Sequence, residues 1–200
     1  SDVMWRNIAQ GDIWLWSMAG GAKASEAYVR TVADLDWEIR GQGDQDGDGK
    51  ADFLWRNKAT GMIYYWRMDG GTPVDERYVS TVDLAYDIIG TGDFDGDGKS
   101  DILWRNAVVG DVWVWRMDGA TVLGEGYVDT VTCARVSGWA WNRADPSARV
   151  TVVVRVVGQL AASIVADIPR DDLAKAGYGD GRYGFAGPAP EPPGAASGGA

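Results

Sequence analysis

Histidine is absent from these 200 residues, and cysteine occurs once, at Cys133. Without histidine, acid–base chemistry at neutral pH would fall to carboxylates or tyrosines, and a zinc site would lack its usual ligands. A single cysteine excludes an intrachain disulfide; Cys133 reads as a small buried hydrophobe rather than a reactive thiol. Basic residues are scarce: 19 Lys and Arg stand against 29 Asp and Glu, a net charge of −10. That balance argues against nucleic acid or an anionic membrane as a partner and favours bound cations. No segment approaches the roughly 18 apolar residues that cross a bilayer, so no membrane span is expected. Nucleophile motifs and phosphate-cradling glycine loops are also missing. No secretory leader is recognisable. The opening Ser1-Asp2 aligns with the end of an acidic loop, so the chain reads as a fragment or a processed product.

The chain is rich in tryptophan, with 11 residues, and is 46% hydrophobic against 24% charged. It can therefore bury a core and suits one or two domains. The tryptophans recur in register. Aligned on Asp2, Asp52 and Asp101, three repeats follow one another at spacings of 50 and 49 residues. Each begins with Val3-Met4-Trp5-Arg6-Asn7 or its equivalents at 53–57 and 102–106. A turn closes at Gly11, Gly61 or Gly110. An aromatic segment follows: 13–16, 63–66 or 112–115. A third segment holds Tyr28, Tyr78 or Tyr127, and a fourth lies at 37–40 or 86–89. These β-branched and aromatic runs, punctuated by glycine and asparagine, predict strands. In the aromatic segment Val112 and Val114 alternate with Trp113, Trp115 and Met117, so both faces are apolar and both need cover. Four strands in a period of 40–50 residues predict propeller-type blades. The expected fold is all-β: about three tandem four-stranded blades (1–50, 51–99 and 100–132), a ring incomplete in this chain, and then a small β-rich module. Arg6, Arg56 and Arg105 are expected to make hydrogen bonds inside their repeats, and the repeated tryptophans to be core rather than sugar-stacking surfaces.

Two acidic loops join the repeats. Asp44-Gln45-Asp46-Gly47-Asp48-Gly49-Lys50-Ala51-Asp52 recurs as Asp93-Phe94-Asp95-Gly96-Asp97-Gly98-Lys99-Ser100-Asp101. Short carboxylates at positions 1, 3 and 5 converge where glycine permits a tight turn: Asp44, Asp46 and Asp48, then Asp93, Asp95 and Asp97. Position 7 offers the carbonyl of Lys50 or Lys99, and position 9 a fourth carboxylate, Asp52 or Asp101. An all-oxygen set suits calcium better than magnesium or zinc. Position 12 is Trp55 or Trp104 rather than the bidentate glutamate of an EF-hand. Two calcium sites are expected, with the ion adding to folding stability.

Asp-x-Asp-Gly-Asp-Gly-x-x-Asp running into Ile-Leu-Trp-Arg-Asn, then a glycine turn and Val-Trp-Val-Trp-x-Met, resembles the FG-GAP/VCBS repeat in its tryptophan-rich bacterial form, over roughly residues 1–132. The resemblance implies β-propeller blades, as in integrin-type propellers and some fungal lectins, with calcium held in the inter-strand loops. It places the ligands on Asp44, Asp46, Asp48, Asp52 and the Lys50 carbonyl, and on Asp93, Asp95, Asp97, Asp101 and the Lys99 carbonyl.

The segment 133–186 differs. Gly138-Trp139-Ala140-Trp141 leads to a polar turn over 142–147, and two strands are expected at 149–157 and 159–166, turning at Gly158. A short helix is expected over 168–176, with Pro169 at its start and Gly177 at its end. The run 178–185, with Gly-Asp-Gly-Arg-x-Gly-Phe, resembles the close of a small bacterial β-rich module appended to larger surface or sugar-handling proteins; Asp180-Gly181 reads as a turn. Residues 187–200 form a Pro/Gly/Ala-rich tail. The leading functional expectation is a non-catalytic, extracellular or cell-surface calcium-binding module for adhesion or for a glycan or protein ligand. One alternative is a self-assembling structural protein whose repeats stack between subunits as a homo-oligomer or fibre. Another is an accessory domain of a larger secreted enzyme.

Overall fold

In the computed structural model of the chain, the described residues are 2–132, 134–156 and 159–188. Cys133, the turn expected at Gly158 and residues 189–200 of the tail lie outside them. The chain divides into two compact units, one of residues up to Leu103 with Met117–Thr121, the other of Trp104–Arg116 and the residues from Val122 onward.

The first unit is all antiparallel sheet. Strands β1 (Val3–Arg6), β2 (Asp12–Ala19) and β3 (Ala22–Thr31) form a three-stranded sheet in that order. Strands β4 (Trp37–Gly43), β5 (Asp52–Asn57), β6 (Met62–Asp69) and β7 (Thr72–Thr81) form a four-stranded blade. Strand β8 (Tyr86–Gly92) lies beside β9 (Asp101–Asn106). Sheet and sequence repeat are offset by one strand. The segment at 37–40, last in the first repeat, pairs with β5 of the second, Ile39 opposite Trp55. The acidic loop is the cause: Gly43 and Asp52 are partners across the pair, so the loop is a hairpin connection inside one sheet.

The recurrent Trp-Arg-Asn has a structural explanation at each residue. Asn57 Oδ1 accepts the N–H groups of Ala59 and Thr60 at 3.0 and 2.9 Å, and Asn7 and Asn106 repeat the arrangement. This is the side-chain-to-backbone bond that favours asparagine at turns. The turn then needs its glycine: Gly61 sits at φ 74°, and a Cβ there would lie 2.1 Å from the Val82 carbonyl oxygen. Arg6 donates to the carbonyls of Trp37, Val32 (2.6 Å) and Asp34 (3.1 Å). Arg56 donates to those of Val82 (3.4 Å) and Asp83 (2.9 Å). The arginine thus ties the start of a repeat to its third strand's end. Arg105 is exposed.

The core of this unit lies between its first two sheets. Ile13 from β2 packs with Phe53, Trp55, Trp66 and Met68 of the second blade, joined by Met4, Val29, Val32 and Trp37. An aliphatic face of one blade therefore meets the aromatic face of the next. Cover is uneven along the repeats. All six residues of β5 are buried, and Trp55 is 2% exposed, whereas its equivalent Trp5 is 38% exposed.

The second unit continues from β9 through β10 (Val112–Asp118), β11 (Thr121–Val131) and β12 (Arg135–Asn142). It adds a hairpin of β13 (Thr151–Val156) and β14 (Gln159–Val165), then β15 (Ile168–Pro169), helix α1 (Asp171–Lys175) and β16 (Arg182–Pro188). Strand order within its main sheet is β15-β16-β12-β11-β10-β9. The helix expected from residue 168 begins instead at Asp171. Ile168 and Pro169 pair with β16, because a proline needs no N–H at a sheet edge. Val136, Ala166 and Phe185 bind the hairpin to the sheet through Val152, Val154 and Ile164. Leu173 of α1 caps an aromatic cluster of Trp139 and Tyr183 with Trp113, Tyr127, Trp141 and Tyr178. Gly138, of the Gly-Trp-Ala run, is required by close approach: a Cβ there would meet the Tyr127 carbonyl oxygen at 2.1 Å and the Phe185 ring at 2.8 Å.

Among the described residues no helix is long and apolar enough to cross a membrane.

Candidate metal centre

Each acidic loop winds around its first carboxylate. Asp44 accepts the N–H groups of Gly47 (2.7 Å), Asp48 (3.0 Å) and Gly49 (2.8 Å). Asp93 accepts those of Gly96 (2.7 Å), Asp97 (3.1 Å) and Gly98 (3.0 Å). The later positions also repeat: Asp46 and Asp95 accept from Asp48 and Asp97, and Asp48 and Asp97 accept from Lys50 and Lys99. Gly47, Gly49, Gly96 and Gly98 all lie between φ 81° and 88°. The chain therefore reaches the same loop twice from two sequences that differ only at Gln45/Phe94 and Ala51/Ser100.

The winding brings carboxylates together. One oxygen each from Asp44, Asp46 and Asp48 lies within 4.8 Å of the others, and so do oxygens of Asp93, Asp95 and Asp101. Asp52 and Asp97 stand outside these two groups. Asp52 is fully buried and engaged at both oxygens: Oδ1 accepts from Met68 N–H at 2.9 Å, and Oδ2 from the Tyr65 hydroxyl at 2.9 Å and Gln45 N–H at 3.4 Å. Asp101, also fully buried, accepts from Met117 N–H and Phe94 N–H, each at 2.9 Å. The position-9 aspartate thus fastens the start of one strand to the end of its neighbour. Sequence reasoning did not identify Tyr65, which stood among core aromatics; the signal was its hydroxyl, where the other two repeats carry Leu15 and Val114.

Burial raises the carboxyl pKa of Asp101 to about 6, with its two backbone donors opposing the shift. Burial likewise raises Asp52, against the bonds from Met68 and Tyr65, and burial with the Asp52 bond drives the Tyr65 hydroxyl upward. A neighbouring cation would favour the ionised carboxylates in both cases. Protein cations stand near only parts of the loops. Arg67 lies 3.7 Å from Asp46 and 3.9 Å from Asp48, and Lys50 Nζ is 3.0 Å from Asp69. Lys99 Nζ is 2.6 Å from Asp118. Both lysine ammonium groups thus pair with carboxylates beyond the loop, Lys50 Nζ also lying 3.9 Å from Asp48.

Each cluster offers three carboxylates and no nitrogen or sulfur, a donor set of the kind that hard cations take. Residues 44–104 match the model of the FG-GAP-like repeat. No curated protein and no solved structure matches the chain. The matched stretch holds both acidic loops and strands β5 to β8.

Proposed function

We propose that this chain is a non-catalytic, calcium-stabilised repeat module of the extracellular or cell-surface type, serving adhesion or the binding of a glycan or protein ligand. An FG-GAP-like repeat supports the coarser reading, a structural or binding repeat. The finer one rests on a single observation: two loops wound by the same hydrogen bonds, each gathering three carboxylate oxygens within 4.8 Å. Asp44, Asp46 and Asp48 with the Lys50 carbonyl would hold one ion, and Asp93, Asp95 and Asp101 with the Lys99 carbonyl the other. Asp52 and Asp97 complete the two sets. A bound Ca²⁺ supplies charge neutralisation and fixes the turn between adjacent strands. The protein's part is to pre-wind the loop around Asp44 or Asp93, so that little backbone freedom is lost on binding. Extracellular modules of this kind bind calcium at roughly 10⁻⁴–10⁻³ M, which matches concentrations outside the cell. Calcium calorimetry with an Asp44→Ala, Asp93→Ala double variant tests the reading: the chain should take up ions with dissociation constants of roughly 0.1–1 mM and the variant should not. Equal heats from both would refute it.

A second reading, assembly through stacked repeats, draws on Trp5. Its equivalent Trp55 is covered by the preceding blade, whereas Trp5 is 38% exposed and Val3 43% exposed. An open apolar blade face favours docking of another repeat. Sedimentation across a concentration series, with and without chelator, decides it.

A further inference from the structure

Gln45 and Ser100 belong to the two positions at which the acidic loops differ: the second loop carries Phe94 for Gln45, and the first carries Ala51 for Ser100. In the fold these two residues meet. A Cβ built on Gly43 would lie 2.3 Å from Ser100 Oγ and 3.8 Å from Gln45 Nε2, so the amide of the first loop and the hydroxyl of the second flank one point. We propose that Gln45 and Ser100 hold a buried water molecule between them, and that this water links the winding of the two loops. The water site stands whether or not the loops hold calcium; its effect on calcium uptake rests on that reading.

Gln45 is placed against the usual preference of its side chain. It is fully buried, whereas Phe94, at the same loop position, is 49% exposed. An amide goes inside where a ring stays out only if polar partners receive it. The main chain of Gln45 is accounted for: its N–H donates to Asp52 Oδ2 at 3.4 Å, and its carbonyl accepts from Gly119 N–H at 2.8 Å. The side chain is not. Neither Oε1 nor Nε2 has a hydrogen-bond partner among the described residues, although the amide carries two donor hydrogens and an acceptor oxygen. Buried polar atoms left bare are rare and costly.

The surroundings select the ligand. A cation would meet the amide N–H groups, and neither Gln45 nor Ser100 brings charge to balance it. An anion would lie beside the buried carboxylate of Asp52, which holds the Gln45 N–H. A direct bond from the Ser100 hydroxyl would serve one amide atom and leave the other bare. Water both donates and accepts, and a buried water typically makes about three bonds to groups of this kind. The frame around it is already set. The Ser100 N–H donates to the Asp44 carbonyl, and the Lys99 side chain lies against Gly47, where a Cβ would come 3.5 Å from its Cε. Main chain and water then join the two loops side by side.

Three measurements on the full chain test this. A crystal structure fine enough to show ordered solvent should place a water within about 3.2 Å of both the Gln45 amide and Ser100 Oγ. Urea unfolding should show the two side chains acting as one unit. Ser100→Ala, which puts there the residue that the first loop carries, should lower the midpoint in the wild-type background and leave it unchanged in Gln45→Met. Ser100→Ala also keeps the main-chain bond to Asp44, so calorimetry isolates the side chain. The weakening of about five- to tenfold that Asp93→Ala imposes on the first calcium site should shrink below about twofold. A direct Gln45–Ser100 bond in place of the water, additive midpoint shifts, or an undiminished weakening would overturn the proposal. A chain that takes up no calcium refutes the metal reading alone, and the solvent structure and the urea cycle still decide the water site.

Discussion

The backbone N–H of Ser100 donates to the carbonyl of Asp44 at 2.6 Å. Asp44 opens the first acidic loop and Ser100 is the penultimate residue of the second, so the two loops touch through main-chain atoms. The Ser100 side chain also fills the space beside Gly43, where a Cβ would lie 2.3 Å from its Oγ. These contacts give rigidity gained by one loop a direct route to the other.

Uptake of two calcium ions should therefore be coupled. Asp93→Ala removes the carboxylate around which the second loop winds. It should abolish one calorimetric event and weaken the other about five- to tenfold, within the usual range of coupling between sites. An unchanged remaining isotherm would show the loops to be independent.

Tyr65→Phe should destabilise the chain by about 1–3 kcal/mol in urea unfolding, because Asp52, fully buried, loses a donor. Tyr28→Phe is the control. Tyr28 is 53% exposed and its hydroxyl bonds Thr31 at the surface, so its loss should fall within about 0.5 kcal/mol.

Trp55→Ala should cost about 3–5 kcal/mol, as expected for a large aromatic lost from a packed core. Trp5→Ala, at the same position in the first repeat but 38% exposed, should cost clearly less in a monomer. Equal costs in urea unfolding would mean that the first blade's outer face is covered in solution.

The carboxyl of Glu125 is raised by burial, with Tyr178 and Arg143 opposing. Its folded pKa thus exceeds the unfolded value of about 4.3. The folded state binds the proton more tightly, so stability is greatest below about pH 4.3 and falls as pH rises through the folded pKa. Glu125→Gln should flatten that part of the profile. Asp172 acts oppositely: Arg170 holds its carboxyl down to about 2. Its contribution is present above about pH 3.9 and is lost as pH falls toward 2. Unfolding free energy measured from pH 2 to 7 in wild type and Glu125→Gln separates the two.

The strands were legible in the sequence because their pattern repeats three times, and Trp-Arg-Asn, the turn glycine and the aromatic segment each occupy the expected place. Aspartate spacing pointed to the first group, Asp44, Asp46 and Asp48, but in the second Asp101 stands with Asp93 and Asp95 where Asp97 was expected. Three further features were not legible. The one-strand offset between repeat and sheet depends on which neighbours pair across a short loop, and periodicity carries no phase. The Tyr65–Asp52 bond joins residues that look like core and ligand until the sheet sets them 2.9 Å apart. At Ile168-Pro169 the helix signal at proline competed with pairing to β16, and the pairing prevailed.

The central claim is that the two acidic loops hold calcium and thereby stabilise the blades. Thermal unfolding in chelator and in a calcium series tests it directly. With dissociation constants near 0.1 mM, 10 mM calcium should stabilise the fold by about 2.7 kcal/mol per site, a rise of several degrees in Tm, and magnesium should do much less. A melting temperature that is the same in chelator and in 10 mM calcium would contradict the account.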